Sequence, residues 1–145
     1  MVLHTLAAFA SIGCIQSRWL VVAPEDRVFD LPPPGASVMS CGGPSRAHSV
    51  FNGLQGLLQQ GTDPTDWVLV HDAARCLVTP GQVLALIDAC TDDPVGGLLA
   101  LPLPDTLKQG ADGRATGTLE RTDKWLAQTP QMFRLATLHD ALDRC

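Results

Sequence analysis

Two short segments combine the residue types that handle phosphates and polar rings. His71-Asp72-Ala73-Ala74-Arg75 closes the apolar run that begins at Trp67, so a carboxylate and a guanidinium sit where a buried strand gives way to a loop. A carboxylate there can bind a hard divalent cation or a sugar hydroxyl, and a guanidinium three residues later can hold phosphate through paired donors. The same spacing suits a plain turn in which Asp72 pairs with Arg75, and on spacing alone both readings stand. His71 lies inside the apolar run and reads as a hydrogen-bonded core histidine rather than a catalytic one. In Gly42-Gly43-Pro44-Ser45-Arg46, glycines let a ligand approach the backbone ahead of a helix N-terminus that favours an anion or a polar ring. The plain alternative is a sharp turn with positive φ at glycine. Thr106, Lys108 and Arg121 supply donors without a local surplus of acid, and Ala127-Gln128-Thr129-Pro130-Gln131 is a polar bend or a packing loop.

The surrounding pattern supplies elements to position these groups. Leu3, Leu6, Ala7 and Ala10 recur at helical spacing over about 3–13, and Trp19 to Ala23 is a short β-branched run closed by Pro24. Ala36 to Cys41 is a second strand, followed by the glycine turn. Ser45 then caps a helix carrying Val50, Leu54, Leu57 and Leu58 on one face. After the strand Trp67 to His71, Thr79-Pro80-Gly81-Gln82 has the form of a capping box with proline at the first helical position, which predicts a helix to about Cys90. Val95 to Leu101 is a further apolar run. Residues 102–121, with few large apolar side chains and a turn at Asp112-Gly113, predict a two-stranded β-arm. A lone hairpin is marginal in water, so the arm should lie against something, most simply a second copy of the chain. Leu135, Leu138, Ala141 and Leu142 define a last helix. Alternating strands and helices imply parallel βαβ units in a doubly wound α/β sheet with helices on both faces.

Composition narrows the function classes. With 145 residues, 46% of them hydrophobic and 17% charged, the chain supports one core and one domain, 1–145. A net charge of −5 offers no basic field for a nucleic-acid backbone, so phosphate has to be gripped locally. Five scattered cysteines without a CxxC pair argue against a disulfide framework or a zinc ribbon and fit reduced thiols in a cytoplasm. No apolar run approaches the roughly 18 residues of a membrane span. Leu6 to Cys14 resembles a lipoprotein cleavage box, but no Lys or Arg precedes Arg18, so a cytoplasmic location is expected.

In this order, four blocks resemble the 2-C-methyl-D-erythritol 4-phosphate cytidylyltransferase family. They are Gly42 to Arg46 with Ser49-Val50 and Asn52-Gly53-Leu54; Val68 to Arg75; Asp105-Thr106-Leu107-Lys108; and Thr118-Leu119-Glu120-Arg121 through Trp125 to Phe133. The resemblance implies a Rossmann-like nucleotidyltransferase sheet with a projecting β-arm and a homodimer formed through that arm. It also implies cytidylyl transfer from CTP to methylerythritol phosphate with Mg²⁺. By position, Gly43 and Ser49 would contact the cytosine and Ala73 the ribose. Asp72 and Arg75 would line the acceptor pocket, with Asp72 near the metal and Thr129 in the same wall. Thr106 and Arg121 would reach the partner subunit's site, where Arg121 orients the attacking phosphate.

Departures from the family pattern carry expectations too. The family opens with a strand and a glycine-rich loop whose Arg and Lys embrace the triphosphate, and it continues into a C-terminal segment with a lysine for the acceptor phosphate. Neither is found in this sequence, which reads as truncated at both ends and is expected to be inactive or nearly so as written. Cys76 stands where proline is usual, and Pro44 where a polar residue is common. Two other functions compete: a non-catalytic module that binds a nucleotide or dimerises, and a cytidylyltransferase for another polyol phosphate such as ribitol phosphate.

Overall fold

The computed structural model describes all 145 residues. Helix α1 (Val2–Ala10) leads to β1 (Trp19–Val21), which pairs in parallel with β2 (Ser37–Met39), Trp19 opposite Ser37 and Val21 opposite Met39. Helix α2 (Arg46–Gln59) begins where Ser45 Oγ accepts the His48 N–H at 3.3 Å. Two glycines inside α2 weaken it by about 1 kcal/mol each relative to alanine. They permit close packing in return: a Cβ on Gly53 would stand 2.7 Å from Val21 Cγ2, and one on Gly56 2.9 Å from Met39 Sδ. Strand β3 (Trp67–Val70) and helix α3 (Pro80–Cys90) follow, and the reciprocal capping box of Thr79 and Gln82 is formed as expected.

The second half contains β4 (Gly96–Pro102), the arm strands β5 (Leu107–Ala111) and β6 (Arg114–Leu119), then β7 (Trp125–Arg134) and α4 (Leu135–Asp143). The arm turns at Asp112 and Gly113, both with positive φ, at the position read from the sequence. Strand β7 replaces the bend or loop expected at 127–131 and adds an antiparallel strand beside the expected parallel pairing. It is ten residues long and lies between β3 and β4, antiparallel to both. Gln128, Thr129, Pro130 and Gln131 break the apolar alternation that marks a strand, so periodicity does not reveal it.

The strands form three ladders, β1-β2, β3-β7-β4 and β5-β6. Phe9 on α1, Ile12 just beyond it and Val83 on α3 form one buried cluster, with Leu69 of β3 packed against it. Leu86 and Cys90 meet Met132 of β7 in a second, which Trp67 and Leu69 border. Helices α2 and α4 make a separate pair, in which Phe51 stacks on His139 with ring centroids 4.7 Å apart.

Candidate active site

Strand β3 ends at Val70 and delivers His71 and Asp72 to the loop that precedes α3. The Arg75 N–H donates to the Asp72 carbonyl at 2.8 Å, closing a turn. Within it, Arg75 Nε donates to Asp72 Oδ2 at 3.1 Å, so the local pairing considered from spacing is formed. A second cation, which the sequence reading did not single out as a site residue, engages the other oxygen: Arg46 Nε donates to Asp72 Oδ1 at 2.7 Å. Arg46 is the first residue of α2, 26 positions away in sequence. The helix therefore ties the glycine turn to the Asp72 loop. Burial pushes the Asp72 carboxyl up, but the hydrogen bonds and charges of Arg46 and Arg75 outweigh it and hold the group below the usual carboxylate range.

The loop is also held from beneath. Thr129 of β7 is buried, and its Oγ1 accepts the Asp72 N–H at 3.3 Å and bonds His71 Nδ1 at 3.0 Å. His71 Nε2 reaches the Arg75 carbonyl at 3.2 Å, and its ring packs on Phe9 with centroids 5.1 Å apart. Burial lowers the His71 pKa, against hydrogen bonding to Arg75 and Thr129 and the charge of Asp72. A neutral imidazole bonded at both nitrogens is a structural link between strand and loop, which agrees with its reading as a satisfied histidine. Arg75 extends the network by donating from Nη1 to Gln128 Oε1.

The glycine turn differs in one respect from expectation: neither Gly42 nor Gly43 has positive φ. Glycine is needed there for clearance. A Cβ on Gly42 would lie 2.8 Å from the Val22 carbonyl oxygen, and one on Gly43 2.5 Å from His48 Cβ. The two residues expected to contact a base are joined directly, with the Gly43 N–H donating to Ser49 Oγ at 3.0 Å. Asn52 Nδ2 donates to the Cys41 carbonyl at 2.8 Å and fixes the start of the turn on α2.

A cleft of about 670 Å³ runs between the two main ladders, and Arg46, Ser49, Asp72 and Ala73 all line it. Ala73 is anchored by its carbonyl, which accepts from Thr5 Oγ1 of α1 at 2.8 Å. Thr106 and Arg121 lie elsewhere. Thr106 immediately precedes β5, and Arg121 stands at the foot of the arm, where its guanidinium donates to the Pro104 carbonyl. The structure thus gathers Ser49, Asp72, Ala73, Arg75 and Thr129 around one loop and turn, and leaves Thr106 and Arg121 on the arm.

No group of three or more His, Cys, Asp or Glu side chains is placed to hold a metal ion. Asp72 alone fits Mg²⁺ in a narrower sense. This ion commonly uses one or two carboxylates together with substrate phosphates and waters, and a carboxylate accepting one bond at each oxygen retains lone pairs.

The sequence matches the family model described as IspD: 2-C-methyl-D-erythritol 4-phosphate cytidylyltransferase over residues 1–145. It is 62% identical over 145 residues to a protein of Albidiferax ferrireducens named bifunctional enzyme IspD/IspF, covering 98% of this chain and 35% of that one. With the 2-C-methyl-D-erythritol 4-phosphate cytidylyltransferase of Paraburkholderia phymatum it shares 47% identity over 150 residues, 99% of this chain and 64% of the other. A crystal structure of 4-diphosphocytidyl-2C-methyl-D-erythritol synthase has a TM-score of 0.91 at 39% identity, with 100% of this chain and 71% of that chain covered. For the Francisella tularensis 2-C-methyl-D-erythritol 4-phosphate cytidylyltransferase the TM-score is 0.84 at 30% identity, with 99% and 65% covered. The chain spans less than two thirds of the length of the two curated relatives.

Proposed function

We propose, because the chain belongs to the 2-C-methyl-D-erythritol 4-phosphate cytidylyltransferase family, that it serves cytidylyl transfer from CTP to methylerythritol phosphate. One observation carries the reading: the carboxylate of Asp72, clamped by Arg46 and Arg75, opens on the same cleft as Ser49, which is bonded to Gly43. A site for a cytosine and a site for a phosphorylated polyol are then neighbours.

In the reaction an oxygen of the acceptor phosphate attacks the α-phosphorus of CTP. The bond from that phosphorus to its bridging oxygen breaks, and pyrophosphate leaves. Both reactants are anions, so the protein has to hold them in line and oppose their repulsion. A phosphate monoester is already ionised at neutral pH, and no general base is required. The Gly43 backbone and Ser49 hydroxyl would recognise the base, and the exposed Ala73 segment would lie along the ribose. Arg75 would hold the acceptor phosphate, while buried Thr129 fixes the Asp72 backbone beside it. Mg²⁺, held at Asp72 together with CTP, would supply neutralisation of the charge that develops on the phosphates.

Thr106 and Arg121 suit a site shared between two copies of the chain, since neither meets Asp72 within one protomer. A homodimer is favoured by exposed apolar side chains at the foot of the arm. Leu101, Leu119, Trp125 and Leu126 are all exposed there, Trp125 by 63%. No helix of the chain is long and apolar enough to cross a membrane, and a cytoplasmic setting fits both the substrates and the free thiols.

The test is pyrophosphate release with CTP, Mg²⁺ and methylerythritol phosphate, run beside ribitol phosphate as competing acceptor. We expect release that needs the methylerythritol ester and is lost in both Asp72→Asn and Arg121→Ala. Release that survives both substitutions, or that prefers ribitol phosphate, overturns the reading.

A further inference from the structure

The two ring nitrogens of His71 join opposite ends of a single turn. That turn runs from Asp72 to Arg75 and is closed by the Arg75 N–H donating to the Asp72 carbonyl at 2.8 Å. At its first residue the Asp72 N–H donates to Thr129 Oγ1, and at its last the Arg75 carbonyl meets His71 Nε2 at 3.2 Å. Thr129 Oγ1 and His71 Nδ1, 3.0 Å apart, complete a bridge between the two ends. The direction of each bond follows from its partners. A carbonyl oxygen only accepts, so Nε2 carries the proton, and in the neutral ring Nδ1 is then an acceptor. The Thr129 hydroxyl donates its one proton to Nδ1 and serves the Asp72 N–H with a lone pair. The opposite tautomer would set the Nε2 lone pair against the Arg75 carbonyl oxygen. Thr129 is buried, so water does not readily replace a lost member of the bridge. Helix α1 holds the assembly from another side, with Phe9 against the His71 ring and Thr5 Oγ1 donating to the Ala73 carbonyl.

We propose that His71 is a positioning residue: as its Nε2–H tautomer, joined to the Thr129 hydroxyl, it braces the Asp72–Arg75 turn and so aims the Arg75 guanidinium at the acceptor phosphate. The role rests on the proposed use of Arg75 in cytidylyl transfer. Arg75 is fixed at three points: His71 holds its carbonyl, Asp72 Oδ2 its Nε at 3.1 Å and Gln128 its Nη1, which leaves Nη2 for a ligand. A guanidinium ordered before the phosphate arrives loses little freedom when it binds. His71 acts through Arg75 and not on the substrate.

The first test uses the unaltered 145-residue chain, isotope-labelled and without substrates. Long-range proton–nitrogen correlation at about pH 8, where an ordinary imidazole is neutral, reads which ring nitrogen of His71 carries the proton. We expect Nε2–H, and a ring protonated at Nδ1 or an even mixture overturns the proposal. Thr129→Val removes the hydroxyl at nearly constant shape and should speed amide exchange at Asp72 about tenfold, while Thr129→Ser should exchange as the parent does. His71→Phe keeps a ring against Phe9 and removes both bonds. If folded by circular dichroism, it should exchange the Arg75 Nε–H about tenfold faster. In the pyrophosphate assay its KM for methylerythritol phosphate should rise about five- to tenfold, with the KM for CTP within about twofold of the parent. An Arg75 Nε–H or an acceptor KM that does not respond overturns the positioning role. If the unaltered chain releases no pyrophosphate, the cytidylyl-transfer reading fails instead, and the tautomer and the exchange rates still decide whether His71 braces Arg75.

Discussion

Replacing Gly43 by alanine tests whether the turn before α2 is built on clearance. The new Cβ would stand 2.5 Å from His48 Cβ and 3.2 Å from the His48 carbonyl carbon, whereas ordinary contact begins at 3.4 Å, so the gap must widen by about 0.9 Å. His48 cannot yield alone. Its N–H is bonded to Ser45 Oγ at 3.3 Å and its Nδ1 lies 2.7 Å from the same oxygen, so the first turn of α2 has to move with it. That movement stretches the 3.0 Å bond from Gly43 N–H to Ser49 Oγ. Overpacking costs roughly 1–3 kcal/mol and the hydrogen bond about 1 kcal/mol more. For a domain of this size the sum corresponds to a fall in Tm of roughly 5–15 °C. The control is Gly81→Ala on α3, where nothing lies within 4 Å of an added Cβ and the helix should gain about 0.5–1 kcal/mol. Scanning calorimetry of the two variants should give opposite signs. If Gly43→Ala melts with the parent protein, the close approach is not what selects glycine at that position.

Two further outcomes follow from the loop after β3. Burial depresses the His71 pKa below its ordinary 6.5, so between that value and the folded one the unfolded chain binds the extra proton. Stability should therefore be held above pH 6.5 and lost as pH falls through the folded value. In urea titrations at pH 8 and pH 5.5, His71→Asn should show a smaller drop than the parent, and an equal drop would show that another group titrates. Arg46→Ala frees Asp72 Oδ1 while leaving Arg75 in place. Both arginines are about half exposed, so the cost in stability should be about 0–1 kcal/mol, while Mn²⁺ titrated as a Mg²⁺ surrogate in the presence of CTP should bind several-fold more tightly. Unchanged Mn²⁺ affinity argues against Asp72 as the cation ligand.

Local signals were legible in the sequence where one principle dominates. Thr79 and Gln82 announce a helix start whatever surrounds them, and the Asp112-Gly113 turn fixes the arm because its φ values are positive. β7 was not legible. Its residues alternate poorly because Gln128 and Thr129 serve Arg75, His71 and Asp72, so the site's requirements overwrite the strand's pattern. The mixed direction of the sheet followed from the same omission, since a strand that is not recognised cannot be given an orientation. The glycine turn is legible as a turn but its cause is not: φ can be guessed from sequence, whereas the approach of His48 depends on how α2 packs.

For the site, residue types were legible and partners were not. Asp72 and Arg75 are three apart, so their pairing was visible as an option. Arg46 meets Asp72 across 26 residues, and only the fold brings the start of α2 to the end of β3. The contact has a mechanical consequence. Gly43 bonds Ser49, Ser45 caps the helix that begins at Arg46, and Arg46 holds Asp72, which Thr129 and His71 tie to β7. Any ligand seated against Gly43 and Ser49 would therefore bear on the same helix end that positions the Asp72 carboxylate. The glycine turn and the Asp72 loop are coupled through one guanidinium, and the coupling requires close packing at Gly43 because any displacement of the first turn of α2 is also a displacement of Arg46.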